Sequence, residues 1–196
     1  MPTTTSPGSA ATSATTPASA ALALRRLYLA RSVFAIVWAA VTLSLAGDLN
    51  PLVTTLLVIY PLVDVAAAVL DLRAGRKAAS PVLLRLNIAV STAAAAGLAF
   101  AGASGVPAVL RVWGAWAVAA GLLQLIVGVK RRGMGGQWPM IISGGLSVLA
   151  GLSFVAAASA AAPKLGTAVA YAVPGAIFFL VAAVRLGRAT KDRPGT

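Results

Sequence analysis

The chain has 196 residues, a formal net charge of +12, and a composition of 59% hydrophobic and 10% charged residues. Soluble domains average roughly 45–50% apolar and about 25% charged residues, so the composition excludes an ordinary soluble domain. The basic residues form short groups between long apolar runs, which favours charge beside a membrane over nucleic-acid binding. The sequence contains no cysteine and no histidine, which excludes disulfides, thiolate nucleophiles and imidazole acid–base catalysis.

The N-terminal segment 1–20 contains only Met, Pro, Thr, Ser, Gly and Ala. This composition has too few bulky apolar side chains to fold alone, and it predicts a disordered cytoplasmic tail. A secretory signal would place basic residues before a short apolar stretch and a cleavage site. Arg25 and Arg26 are followed by apolar sequence as far as Ala46, which favours an uncleaved first span. Residues 191–196 are predicted to form a short cytoplasmic tail.

Between the two tails, residues 21–190 are predicted to form an all-α, polytopic membrane bundle. A hydrocarbon core about 30 Å thick needs roughly 20 helical residues to cross it, and a lone strand in lipid would leave its backbone groups unpaired. The six predicted spans are approximately 27–46, 51–72, 81–102, 107–129, 138–162 and 165–187. Pro61 and Pro174 lie inside the second and sixth spans, where each is expected to kink its helix.

Lysine and arginine predict the orientation of the spans, because they accumulate in cytoplasmic connections. All but two of the sixteen basic residues lie in four groups at one predicted side, and the exceptions are Arg111 and Lys164. The four groups are Arg25, Arg26 and Arg31; Arg73, Arg76, Lys77 and Arg85; Lys130, Arg131 and Arg132; and Arg185, Arg188, Lys191 and Arg193. Both termini are therefore predicted to be cytoplasmic, with the basic residues close to anionic lipid head groups.

A repeat appears when the spans are taken in pairs. Tyr60, Trp116 and Tyr171 recur at intervals of about 55 residues, a period typical of repeated structural units. Arg31 and Arg85 have nearly the same separation. We infer three tandem two-helix hairpins at about 27–77, 81–132 and 137–188 in the same orientation, which is typical of triplication of a two-helix unit. The third hairpin lacks the early arginine and has Gln137 and Trp138 in that region.

Asp64 lies about eight residues, or roughly 12 Å, inside the second span from its basic end. A charge at this depth costs about 2.5–3.5 kcal/mol on insertion scales, so a partner or a protonated form is expected. Tyr60, Asp64 and Asp71 fall within about 40° of one another on a helical wheel. The predicted intramembrane polar cluster is Arg31, Tyr60, Asp64, Asp71, Arg85 and Gln124. Asn87 lies at a comparable depth in the third span.

Two interpretations of this cluster remain open. In the first, Asp64 or Asp71 pairs with Arg31 or Arg85 and fixes the packing of the helices. In the second, a carboxylate in a low dielectric serves as a protonatable or ion-coordinating site.

Other patterns predict packing rather than chemistry. Gly114, Gly121 and Gly128 recur every seven residues, which favours close helix packing within the monomer, with a homo-oligomer as the alternative. The four tryptophans are too scattered in sequence to predict a stacking platform, and Trp113 and Trp138 are interpreted as anchors at the membrane interface.

The residues predict no enzyme, no catalytic residue, no cofactor and no metal site. The glycine-rich runs near Gly133 and Gly144 lack the strand and helix context of phosphate-binding loops. The expected partner is the lipid bilayer with its anionic head groups, and neither nucleic acid nor an identifiable small-molecule substrate is predicted.

Residues 25–190 resemble the HdeD-type membrane proteins, which are built from a repeated two-helix membrane domain. The resemblance rests on five stretches: Arg31-Ser-Val-Phe-Ala-Ile, Tyr60-Pro-Leu-Val-Asp64, Trp113-Gly-Ala-Trp, Gly121-Leu-Leu-Gln124-Leu and Gly135-Gly-Gln-Trp-Pro-Met-Ile-Ile-Ser-Gly-Gly-Leu-Ser. It implies a non-catalytic, multi-pass protein of the bacterial inner membrane with a role in acid or envelope stress tolerance. The alternative is a small transporter or channel that uses the cluster around Asp64.

Overall fold

The structure is a computed structural model that describes residues 17–45, 47–73, 80–130 and 138–191, with side chains between Leu22 and Arg188. These residues form α1 (Pro17–Leu45), α2 (Pro51–Arg73), α3 (Pro81–Ala101), a 3₁₀ turn (Gly102–Ser104), α4 (Val106–Lys130), α5 (Trp138–Ala157), α6 (Leu165–Ala170) and α7 (Ala172–Lys191). No strand occurs in these ranges.

Six helical segments are long and apolar enough to cross a membrane, and α6 with α7 forms the sixth. The predicted all-α membrane bundle is therefore confirmed, and the chain is a multi-pass membrane protein.

Two helix ends differ from the sequence prediction. Helix α1 begins at Pro17, so residues 17–20 of the predicted tail are helical; residues 1–16 and 192–196 lie outside the described part. Helix α5 ends at Ala157 although the alanine-rich sequence continues to 162. The chain tightens there into turns in which the Ser159 and Ala160 amides donate to carbonyls three residues back. The approaching Pro163 disfavours continued helix in the residue before it.

The two internal prolines have different effects. Helix α2 runs without a break through Pro61. The sixth span is interrupted at Tyr171, three residues before Pro174. Pro174 has no amide hydrogen to donate to the carbonyl four residues earlier, and its ring crowds that carbonyl. The expected disturbance of the sixth span is therefore present as a break between α6 and α7.

The most extensive helix contacts are those of α4 with α5, α1 with α7, and α2 with α3. Each of these pairs joins the second helix of one predicted hairpin to the first helix of the next, with α7 closing back onto α1. The contacts within each predicted hairpin are smaller. The tandem-hairpin arrangement stays a prediction.

The bundle has two halves of different character. The end at which α1, α3 and α5 begin is termed the basic end, and the described cations there are Arg25, Arg26, Arg73, Arg85, Lys130, Arg185 and Arg188. The opposite half is filled by apolar side chains that are at most 1% exposed: Val53, Leu57, Leu98, Val109 and Leu110. The predicted cationic positions 76, 77, 131, 132 and 193, together with Gly133 and Gln137, lie outside the described residues.

Large apolar side chains also cover the outside of the bundle. Val33 is 61% exposed, Phe100 is 80% exposed and Leu149 is 65% exposed. A soluble protein would hide such side chains, whereas lipid accommodates them. The excess of hydrophobic residues in the composition therefore lies partly on the surface that faces the acyl chains.

Helices α4 and α5 approach closely through reciprocal glycine contacts. A Cβ atom at Gly114 would lie 2.5 Å from the carbonyl oxygen of Gly151, and one at Gly151 would lie 2.5 Å from that of Gly114. Gly121 and Gly144 repeat the relation at 2.8 Å. The glycine stripe of α4 thus packs within the monomer, as the sequence pattern favours, because small residues let backbones approach in lipid.

We expect Gly114→Ala and Gly151→Ala each to destabilise the folded protein by about 1–3 kcal/mol, because the added methyl group must push two backbones apart. Gly145→Ala is the matched control in α5, since no atom lies within 4 Å of its added Cβ. Unfolding in mixed detergent micelles measures the difference. Equal stability of Gly114→Ala and Gly145→Ala would contradict the close contact.

Candidate functional site

A cavity of about 230 Å³ occupies the half of the bundle nearer the basic end. All six spans contribute to its walls, through the first part of α1, α3 and α5, the last part of α2, the middle and last part of α4, and the first and middle part of the sixth span. Its polar and charged side chains include Arg31, Asp64, Asp71, Asn87, Gln124 and Ser143. The cavity therefore places polar groups from different helices around one shared space.

Aromatic side chains separate the cavity from the packed opposite half. The aromatic floor consists of Trp38, Tyr60, Trp113 and Trp116. The Trp38 and Trp113 rings stack with centroids 5.6 Å apart and an interplanar angle of 9°. Tyr60 lies 4.4 Å from Trp38, 5.6 Å from Trp113 and 5.8 Å from Trp116. Offset and edge-to-face aromatic pairs at these separations stabilise a packed core.

This cluster corrects two expectations from the sequence. Trp113 is 3% exposed and belongs to the floor, so its interpretation as an interface anchor is wrong. Trp113 and Trp116 are three residues apart and share a helix face, and the fold brings Trp38 and Tyr60 onto that face. Residues scattered in sequence are therefore stacked in space. Trp138 is 67% exposed at the start of α5, where an interface anchor is expected.

Asp64 is the centre of the polar network. Its Oδ1 pairs with Nη2 of Arg31 at 2.5 Å. Its Oδ2 accepts hydrogen bonds from Asn87 Nδ2 at 2.7 Å and from Ser91 Oγ at 2.9 Å. Ser91 Oγ in turn accepts a hydrogen bond from Trp116 Nε1 at 3.0 Å. Helices α1, α2, α3 and α4 are thus linked through one carboxylate.

Arg31 is held on two sides. One side forms the ion pair with Asp64, and its Cζ lies 4.5 Å from the centre of the Phe179 ring in α7. A guanidinium over an aromatic face gains cation–π attraction. The Arg31 side chain is 25% accessible and the Asp64 side chain 12% accessible, so the pair borders the cavity rather than lying in a dry core.

The hydrogen bond between Trp116 and Ser91 has a counterpart later in the chain. Trp116 donates to Ser91, and Tyr171 donates from its hydroxyl to Ser147 Oγ at 3.4 Å. The two donors, and likewise the two serines, are separated by the same interval as the sequence repeat, about 55 residues. The corresponding region of the first hairpin instead has Trp38, whose Nε1 donates to the Leu56 carbonyl at 2.7 Å. The sequence interval thus corresponds to a similar hydrogen bond in each of the second and third predicted hairpins.

The structure brings most of the predicted polar cluster together. The residues of the cluster that line the cavity are Arg31, Tyr60, Asp64, Asp71 and Gln124. Gln124 donates to the Met140 carbonyl at 3.3 Å, which ties α4 to α5.

Arg85 does not join the cluster, because its side chain is exposed. It precedes the cavity residue Asn87 by two positions, and at about 100° per residue the two point to nearly opposite faces of α3. Arg31 is therefore the cation that meets Asp64.

Sequence reasoning missed three members of the network: Ser91, Trp116 as a donor, and Phe179. The spacing of Asn87 and Ser91 by four residues places them on one helix face, and this signal could have identified Ser91. Phe179 comes from the last span, and no local pattern indicates its contact with Arg31. In the described ranges, no three acidic, cysteine or histidine residues are grouped so as to hold a metal ion.

Comparisons of the chain with family models, curated protein sequences and solved structures give no match. The resemblance to HdeD-type proteins therefore stays a prediction.

We expect Asp64→Asn to lower the stability of the folded protein by about 3–5 kcal/mol, because it leaves the Arg31 charge uncompensated inside the bundle. The double variant Arg31→Gln with Asp64→Asn removes both charges and should recover part of the loss. Asp48→Asn, which alters an exposed carboxylate, is the control. Thermal unfolding in detergent compares the four proteins. An Asp64→Asn protein as stable as the parent would exclude a role for the pair as a structural lock.

Proposed function

We propose that this chain is a non-catalytic, multi-pass protein of the bacterial inner membrane, similar to HdeD-type proteins, that supports tolerance of acid or envelope stress. The stretches around Arg31, Asp64, Trp113 and Gly135 support the family resemblance. The role that fits this architecture is that of a closed membrane bundle that resists the passage of ions.

The observation that carries the proposal is the closure of the cavity by the aromatic floor and the apolar layer beyond it. Apolar side chains at most 1% exposed fill the half of the bundle opposite the cavity. Water and ions are disfavoured in such a layer, as they are at the hydrophobic constrictions of channels. A bundle with a polar cavity in one half and packed apolar side chains in the other fits a barrier better than an open pore.

The surroundings of Asp64 support a non-catalytic role. Its carboxylate accepts one bond from arginine and two from Asn87 and Ser91. These donors occupy the oxygens that a general base would offer to a substrate. The arrangement is that of a fixed ion pair.

The distribution of cations supports the proposed orientation. The basic end contains the cations of α1, α2, α3, α4 and α7, whereas Arg111 and Lys164 are exposed nearer the opposite end. Because arginine and lysine accumulate on the cytoplasmic side, we place the basic end and both termini in the cytoplasm, next to anionic head groups.

Deletion of the gene is expected to reduce survival of the cells after acid challenge. The parent protein and Arg85→Ala should restore survival, because Arg85 lies outside the cavity. Arg31→Ala and Asp64→Asn should fail to restore it, since each breaks the pair that joins the helices. Survival is counted at several pH values with membrane levels of each protein measured in parallel. Unchanged survival of the deletion strain would contradict the proposed role.

A small transporter or channel is the second candidate, because all six spans line the cavity and an ion pair borders it. Alternating access would require the aromatic floor to part, exposing the cavity to the other side. The observed state would then be the one open toward the basic end.

Proton flux in proteoliposomes separates the two candidates. Vesicles that contain the purified protein and a pH-sensitive dye are given an outside-acid pH jump, with protein-free vesicles as the control. The closed bundle predicts the same leak rate in both preparations. A faster leak that is lost in the Arg31→Ala protein, but retained in Arg85→Ala, would favour the channel.

A further inference from the structure

We propose that the cavity binds a small organic carboxylate with an apolar, single-ring body. The carboxylate pairs with Arg31, and the ring lies on the aromatic floor. This inference concerns a ligand of the cavity and does not depend on the role in acid tolerance.

The two members of the ion pair use their hydrogen-bonding groups to different extents. Asp64 accepts three hydrogen bonds, from Arg31, Asn87 and Ser91. A guanidinium carries five N–H donors. Among the described residues, Asp64 is the one hydrogen-bond acceptor of Arg31. The pair therefore has spare donors and a largely occupied acceptor, which favours a ligand with acceptor oxygens.

The Arg31 guanidinium is held in position without a ligand. The ion pair with Asp64 and the Phe179 ring at 4.5 Å fix the position of the guanidinium. Its side chain is 25% accessible and lines the cavity, so a ligand in the cavity can reach it. A planar guanidinium whose orientation is already set loses little freedom on binding a carboxylate, and its fork matches two carboxylate oxygens.

The volume of the cavity and its aromatic lining limit the size and shape of the ligand. Tyr60, Trp113 and Trp116 present aromatic surface at one end of the cavity. An apolar cavity of about 150 Å³ holds a benzene molecule. The volume of about 230 Å³ found here thus accommodates one ring together with a carboxylate, whereas a long acyl chain would exceed it.

The cations at the basic end also influence which ligand the cavity attracts. Arg25, Arg73, Lys130 and Arg188 belong to the helix ends that surround the cavity at the basic end. Clustered charge of one sign raises the local concentration of the opposite ion and speeds its arrival. The field thus favours an anion. An organic cation is the competing ligand, because carboxylates and aromatic rings also line the cavity.

Binding is tested on the purified full-length chain in nanodiscs of neutral lipid, with radiolabelled benzoate as the probe. Benzylammonium replaces the carboxylate by a cation, acetate removes the ring, and laurate represents a fatty acid from the membrane. We expect labelled benzoate to bind saturably and to be displaced by unlabelled benzoate. The other three compounds should displace it at least tenfold more weakly.

Two pairs of variants locate the site. Arg31→Gln should weaken benzoate binding by about tenfold or more, because a charge-assisted hydrogen bond is lost, and Arg85→Gln should leave it unchanged. Gly175→Leu should abolish binding without touching the ion pair. Gly175 lines the cavity and has no atom within 4 Å of an added Cβ, so its new side chain enters open space. Gly145→Leu is its control in α5, outside the cavity lining.

If the Arg31→Gln protein does not fold, the Gly175→Leu protein still tests whether benzoate binds in the cavity. Benzoate association that is unchanged by Gly175→Leu would overturn the proposal, because it would reflect partition into lipid. Stronger binding of benzylammonium would overturn it in favour of a cation site, and preferential displacement by laurate would overturn it by identifying a membrane lipid as the ligand. These outcomes are independent of acid survival in cells.

Discussion

The ion pair between Arg31 and Asp64 is the constraint on which the basic half of the bundle depends. A single charge in the membrane interior costs about 2.5–3.5 kcal/mol on insertion scales, so neither residue is stable there alone. Asn87 and Ser91 complete the bonding of the carboxylate, and Phe179 covers the guanidinium. Satisfying one charge therefore fixes the relative positions of α1, α2, α3 and α7.

The opposite half is stabilised by a different principle. There, buried apolar side chains pack beyond the aromatic floor, and packing in lipid replaces the hydrophobic drive of soluble proteins. The contacts between Gly114 and Gly151 bring α4 and α5 close together. The molecule thus combines a dry half, which determines stability and closure, with a polar half, which is able to accept a ligand. The contrast between the halves supports the barrier and the binding proposals together.

Much of the fold could be predicted from the sequence, because apolar segments of sufficient length leave helices as the only solution in lipid. The need of Asp64 for a partner, and the common face of Tyr60 and Asp64, also followed from helical geometry. The choice of Arg31 over Arg85 did not, because it depends on how each helix is rotated in the bundle. The burial of Trp113 was missed for the same reason. Such contacts arise between distant segments, and no local periodicity encodes them.

The interval of the inferred repeat relates Asp64 to two small residues that line the cavity. Counted from Asp64, the intervals that separate Tyr60, Trp116 and Tyr171 lead to Ala120 and Gly175, and both line the cavity. Three aspartates at these positions would place three negative charges beside one space, where they would repel one another. At these three positions the chain has the carboxylate of Asp64, the methyl group of Ala120 and no side chain at Gly175. The small residues Ala120 and Gly175 therefore leave volume in the cavity that larger side chains would fill, and this uneven space is the shape that a guest molecule would meet.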